Sequence, residues 1–97
     1  MAIGDMVSDH VTLLPNQFMT INPSVSSVEW IVHNIYIPIG STCEFYKTNG
    51  STATKFMIVS NSLLSYNFHC SSDSYITVKN VGSNTINVAF DGLIMQE

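Results

Sequence analysis

Val28-Glu29-Trp30-Ile31-Val32-His33-Asn34-Ile35-Tyr36-Ile37 is the stretch on which the fold turns. Valine, isoleucine, tryptophan and tyrosine suit a pleated surface, and the apolar residues show no helical spacing. Read with a period of two, one face carries Val28, Trp30, Val32, Asn34 and Tyr36. The other carries Glu29, Ile31, His33, Ile35 and Ile37. A half-buried antiparallel strand should be apolar on one face only. This one is largely apolar on both. Either it is a central strand covered on both sides within the domain, or its outer face meets another subunit. An all-β chain of 97 residues has little material for covering both faces, which favours the second option.

The same alternation continues on either side. Asp5 to Leu14 sets Val7, Asp9, Val11 and Leu13 against Met6, Ser8, His10 and Thr12, and Pro15-Asn16 breaks it. Gln17 to Ile21 is a short strand closed by Asn22-Pro23-Ser24. Thr42 to Thr48 places Cys43, Phe45 and Lys47 opposite Glu44, Tyr46 and Thr48. Asn49-Gly50 suggests a tight hairpin turn, with a loop that could extend through Thr54 and so leaves the register open. Lys55 to Ser60, Leu63 to Cys70, Ser74 to Asn80 and Thr85 to Phe90 follow, separated by Asn, Ser and Gly turns. Asp91-Gly92 reads as a bulge or turn, and Leu93-Ile94-Met95 as a tail. About eight short strands at this spacing predict an all-β chain: an antiparallel β-sandwich, jelly-roll-like. The length fits one domain over residues 1–97, with room for an extended N-terminal arm and a C-terminal tail.

Composition narrows the function. Charged residues are 10% of the chain, with three lysines, no arginine and a net charge of −4. Clustered cations for a phosphate backbone or an acidic membrane are missing, so neither nucleic acid nor membrane is an expected partner. No run reaches the ~18 apolar residues of a membrane helix. Met1-Ala2-Ile3-Gly4-Asp5 lacks the basic and apolar regions of a secretory signal, so the chain is expected in a cytoplasm or assembled there before release. Interfaces are depleted in Lys, Glu and Asp, as this chain is. Much of its surface is therefore expected to be covered in the working state.

Chemistry finds little support. His10, His33 and His69 lack metal-site spacing. Glu29 and His33 share a face but stand ~13 Å apart along a strand. His69 and Cys70, as strand neighbours, point to opposite faces. Serines abound without a nucleophile-elbow motif. The expectation is no enzyme activity, no catalytic residue, no metal and no cofactor. Cys43 and Cys70 read as buried small hydrophobes, with a single bridge between them left open. The aromatics are the productive candidates, because such residues dominate binding hot spots. Trp30, Tyr36, Tyr46, Tyr66 and Tyr75 are each either interface anchors or ordinary core. Trp30, Tyr36 and Tyr46, with Leu93 and Met95, are the residues most expected at an interface.

The run Val78-Lys79-Asn80-Val81-Gly82-Ser83-Asn84-Thr85-Ile86-Asn87-Val88 resembles the small all-β accessory proteins of tailed-phage virions. So does Val32-His33-Asn34-Ile35-Tyr36-Ile37-Pro38, followed by Gly40 and Glu44-Phe45-Tyr46. The resemblance spans residues 28–91 and is one of style, so no functional residue is carried over. It implies a homo-oligomeric structural protein, often trimeric, that decorates or cements a capsid lattice or forms part of the tail, located in the virion. The alternative class is a carbohydrate- or receptor-binding module, which would gather aromatic and Asn/Asp side chains on loops. Cementing instead predicts flat apolar contacts along strands and termini.

Overall fold

The computed structural model describes residues 3–96; Met1, Ala2 and Glu97, the ends of the expected arm and tail, lie outside it. Eight strands run in order: β1 (Met6–Leu13), β2 (Phe18–Ile21), β3 (Glu29–Tyr36), β4 (Cys43–Thr48), β5 (Ala53–Val59), β6 (Phe68–Ser71), β7 (Tyr75–Asn80) and β8 (Ile86–Gln96). No helix occurs among the described residues. One sheet, sheet A, has the order β1-β8-β3-β6; the other, sheet B, has β2-β7-β4-β5. The antiparallel partners β1/β8, β2/β7, β3/β6 and β4/β5 are those of one long hairpin folded back at the β4–β5 turn. That hairpin is wrapped so that successive pairs alternate between sheets, and β8/β3 and β7/β4 contacts close each sheet. This is a jelly roll, two four-stranded sheets enclosing one core. Leu13, Ile35 and Val88 from sheet A meet Ile21, Phe45 and Ile76 from sheet B, all essentially without exposure.

Strand β3 explains its own two apolar faces. Val32 pairs with Gly92, but Asn34 pairs with Asp91, so His33 is an extra residue in a β-bulge. A bulge puts two residues opposite one and shifts the alternation by one place. Trp30 and Val32 point inward before it; Ile35 and Ile37 point inward after it. The apolar residues therefore belong largely to one continuous inner face, and Val28–Ile37 is not a strand with two fully apolar sides. The bulged residue is held by a loop: the Tyr66 amide donates to the His33 carbonyl at 2.9 Å, and His33 Nδ1 donates to the Tyr66 carbonyl at 3.0 Å.

Two further segments differ from the sequence reading, and a third settles a loop length that it left open. Leu63 to Cys70 is not one strand: only Phe68–Ser71 extends, and Leu63 makes an isolated bridge to Ile35. Ser65, at φ 62°, breaks the extended path between them. Leu93-Ile94-Met95 is not a tail but the end of β8, between β1 and β3. The Asn49-Gly50 turn takes the longer form that its sequence allowed. Thr48 pairs with Ala53, and Asn49 Oδ1 accepts from the amides of Ser51 and Thr52 in a four-residue loop.

Candidate interaction site

The outer face of sheet A carries an apolar row that the core does not use. Met6, Leu93, Ile31 and His69 are cross-strand neighbours in one row over all four strands. Met6 is 72% exposed, and Leu93 is 39% exposed although it lies on a central strand. Met95 adds a second exposed thioether beside them, at an irregularity in β8. The next row is polar and self-contained. Asn34 Nδ2 and the Tyr36 hydroxyl donate to the two oxygens of Asp91, each at 2.7 Å. That bond, ahead of desolvation, raises the Tyr36 hydroxyl above its ordinary pKa, because it stabilises the neutral phenol beside a carboxylate. Tyr36 is thus exposed with its hydroxyl already held.

The five residues expected at an interface do not converge. Tyr36, Leu93 and Met95 lie with sheet A and are exposed. Tyr46 lies on sheet B, its hydroxyl donating to Glu44, whose other oxygen takes Lys55 Nζ at 2.9 Å. These bonds hold the Glu44 carboxyl below its usual range and raise Tyr46 and Lys55. Trp30 points into the core, its ring centroid 5.9 Å from that of Phe90. Exposed Met6 and half-buried Ile31 belong to the same row and were missed. Their signal was the register of β1 and β3 against β8, which no single-strand pattern contains.

A second exposed feature is a knob. The Pro38 carbonyl accepts from the Ser41 amide at 3.1 Å across a turn with Gly40 at φ 86°. This is the geometry of a type II turn, which needs a positive φ at its third residue. Ile39 at its tip is 97% exposed.

A third feature is a cleft of about 370 Å³ where the edge strands β1 and β2 leave a gap between the sheets. Phe90, Trp30 and Val7 lie beneath it, with Ser8, Asp9, Thr20 and Asn22 around it. The Trp30 indole N–H is buried without a hydrogen-bond partner.

Cys43 and Cys70 are both buried and unbonded, on opposite sheets. Burial pushes the Cys43 thiol up to about 11 and raises Cys70 as well. Among the described residues, no three His, Cys, Asp or Glu side chains are grouped to hold a metal ion. Comparison with protein-family models and with curated proteins finds no match.

Proposed function

We propose that this chain is a structural virion protein that decorates or cements a phage capsid, or forms part of the tail, as a homo-oligomer docked on a protein lattice. The observation that carries the reading is the row Met6–Leu93–Ile31 on the outer face of sheet A, with Met6 and Leu93 exposed, Ile31 half-buried between strands, and Met95 exposed beside them. The area these side chains leave in water would favour binding at ~25 cal/mol per Å² if a partner covered it. Ile39, presented on a turn tip, fits the same account. The jelly roll agrees with the reading, since capsid and lectin domains both use it, but a fold alone does not assign a function. No enzymatic step is part of the proposal. Glycan or receptor binding, the alternative class, has its own support in the cleft beside Trp30.

The decisive experiment is purification of the native particle. The chain should co-purify with virions in a fixed copy number; its absence from particles would end the reading. Substitution then separates anchors from core. Leu93→Ser and Ile39→Ser should leave a folded chain that no longer self-associates or attaches. Trp30→Ala should unfold it, at a cost of ~3–5 kcal/mol.

A further inference from the structure

We propose that the cleft between β1 and β2 binds one neutral pyranose unit. The cleft gathers unspent hydrogen-bonding groups. On the outer face of sheet A, Asn34 and Tyr36 pair off with Asp91. The polar side chains gathered at this cleft make no such pairs. Among the described residues, the side chains of Ser8, Thr20 and Asn22 make no hydrogen bond, and Trp30 Nε1 has no acceptor. Asp9 uses one oxygen, which accepts from the His10 amide at 2.8 Å, and leaves the other free.

Charge then selects the ligand. Among the described residues, the only charged side chain lining the cleft is a carboxylate, and neither β1, β2 nor β8 contains a lysine. An anionic ligand would be repelled. A single carboxylate is also too little to hold a metal ion without further ligands. What remains is an uncharged molecule with many hydroxyls, able both to donate to Asp9 and to accept from Asn22 and the threonine or serine hydroxyls. Beneath them, Phe90 and Trp30 give an apolar base suited to the C–H face of a sugar ring. The volume, about 370 Å³, lies near the lower end of the ~300–1,000 Å³ of ligand pockets, so one ring is the fitting size. This inference does not depend on the assembly reading: a lattice-bound protein and a free one would both present it.

Trp30 is the chain's only tryptophan and lines the site, so its fluorescence reports on the cleft, and the Asp9 and Asn22 variants tell this cleft from the neighbouring hollow that Trp30 shares with Pro23 and Val25. The whole chain should be titrated with methyl glycosides of neutral hexoses and N-acetylhexosamines, and with glucuronic acid as the anionic comparison. At least one neutral glycoside should give a saturable change with a Kd on the order of 1 mM, and glucuronic acid none. Asp9→Asn and Asn22→Ala, folded by circular dichroism, should each weaken binding by about tenfold or more, the loss of roughly one good polar contact. A neutral oligosaccharide that binds more tightly than its monosaccharide would identify a polysaccharide as the source; equal affinity would identify a free sugar. Silence across the neutral panel, in fluorescence and in ligand-observed NMR, would overturn the proposal. So would equal binding of glucuronic acid, or full binding by both variants.

Discussion

At Gly92 a Cβ would overlap the Ile31 carbonyl and sit 2.8 Å from Val32 Cα, because β8 crosses close to the bulged strand at this point. Both obstacles are backbone, so neither moves cheaply. Gly92→Ala is expected to destabilise the chain by ~3 kcal/mol or more, the upper range for overpacking. Urea unfolding measures it; an unchanged midpoint would mean that β3 and β8 are not this close. Asn80 is the second residue of this kind. It is fully buried, its Nδ2 donates to the carbonyls of Leu13 (3.1 Å) and Asn84 (2.8 Å), and its Oδ1 accepts from the Gly82 amide (3.0 Å). It therefore ties the β1–β2 corner to the β7–β8 loop. Asn80→Ala strands those groups and should cost about 2–3 kcal/mol in the same assay. The sequence marked Asn80 only as the end of a strand, because the carbonyl of Leu13 comes near it only after the chain has wrapped.

At the scale of elements, β1 and β7 were legible because their alternation is unbroken: Val7 and Leu13, and Ile76 and Val78, face inward as a period of two requires. Strand β3 was legible as a strand but not as a surface, since the bulge at His33 depends on pairing with β8. Leu63 to Cys70 alternates as well as β7 does, yet it is mostly loop because that segment must wrap the bulge. Of the candidate site, Tyr36, Leu93 and Met95 could be named beforehand; the row that joins Leu93 to Met6 and Ile31 could not. The elements also set a pH response. Cys43 in β4 moves from 9.0 to about 11 through burial, and Cys70 in β6 also rises. A raised folded pKa means that the unfolded thiol ionises first, so its stabilising contribution is intact below 9 and is lost as pH climbs toward 11. Tyr36, Tyr46 and Lys55 are raised and act in the same direction. Glu44 is lowered, so its contribution is present above the ordinary carboxylate range and is lost as pH falls through its folded value. The thermal midpoint should therefore decline on the alkaline side from pH 9 upward. In Cys43→Ala that decline should be shallower; an identical slope would show that the thiol is not protected by burial.

Over the whole molecule, charge is sorted by sheet. Lys47, Lys55 and Lys79 all lie in strands of sheet B, whose one carboxylate is Glu44. Sheet A has Asp9, Glu29 and Asp91, all three histidines and no lysine. Joining two copies through their sheet A faces would bring like charges together. Lys47 reaches back to the His69 carbonyl of sheet A, so a copy that sets its sheet A face against the side of the next that bears Lys55 and Lys79 makes a contact between unlike surfaces, the kind that closes into rings when the rotation allows. Under the proposed assembly, charge chooses the orientation and the apolar row supplies the affinity, since complementary fields act mainly on specificity and association rate. Raising salt from about 0.1 M to 1 M shortens the screening length from ~10 Å to ~3 Å. Association in stopped-flow light scattering should slow, while dissociation and the sedimentation coefficient of the assembled state should change little. Leu93→Ser should do the reverse, speeding dissociation with the salt response kept. Release of folded protein by moderate salt alone would place the binding energy in the charges and overturn the apolar account of the interface.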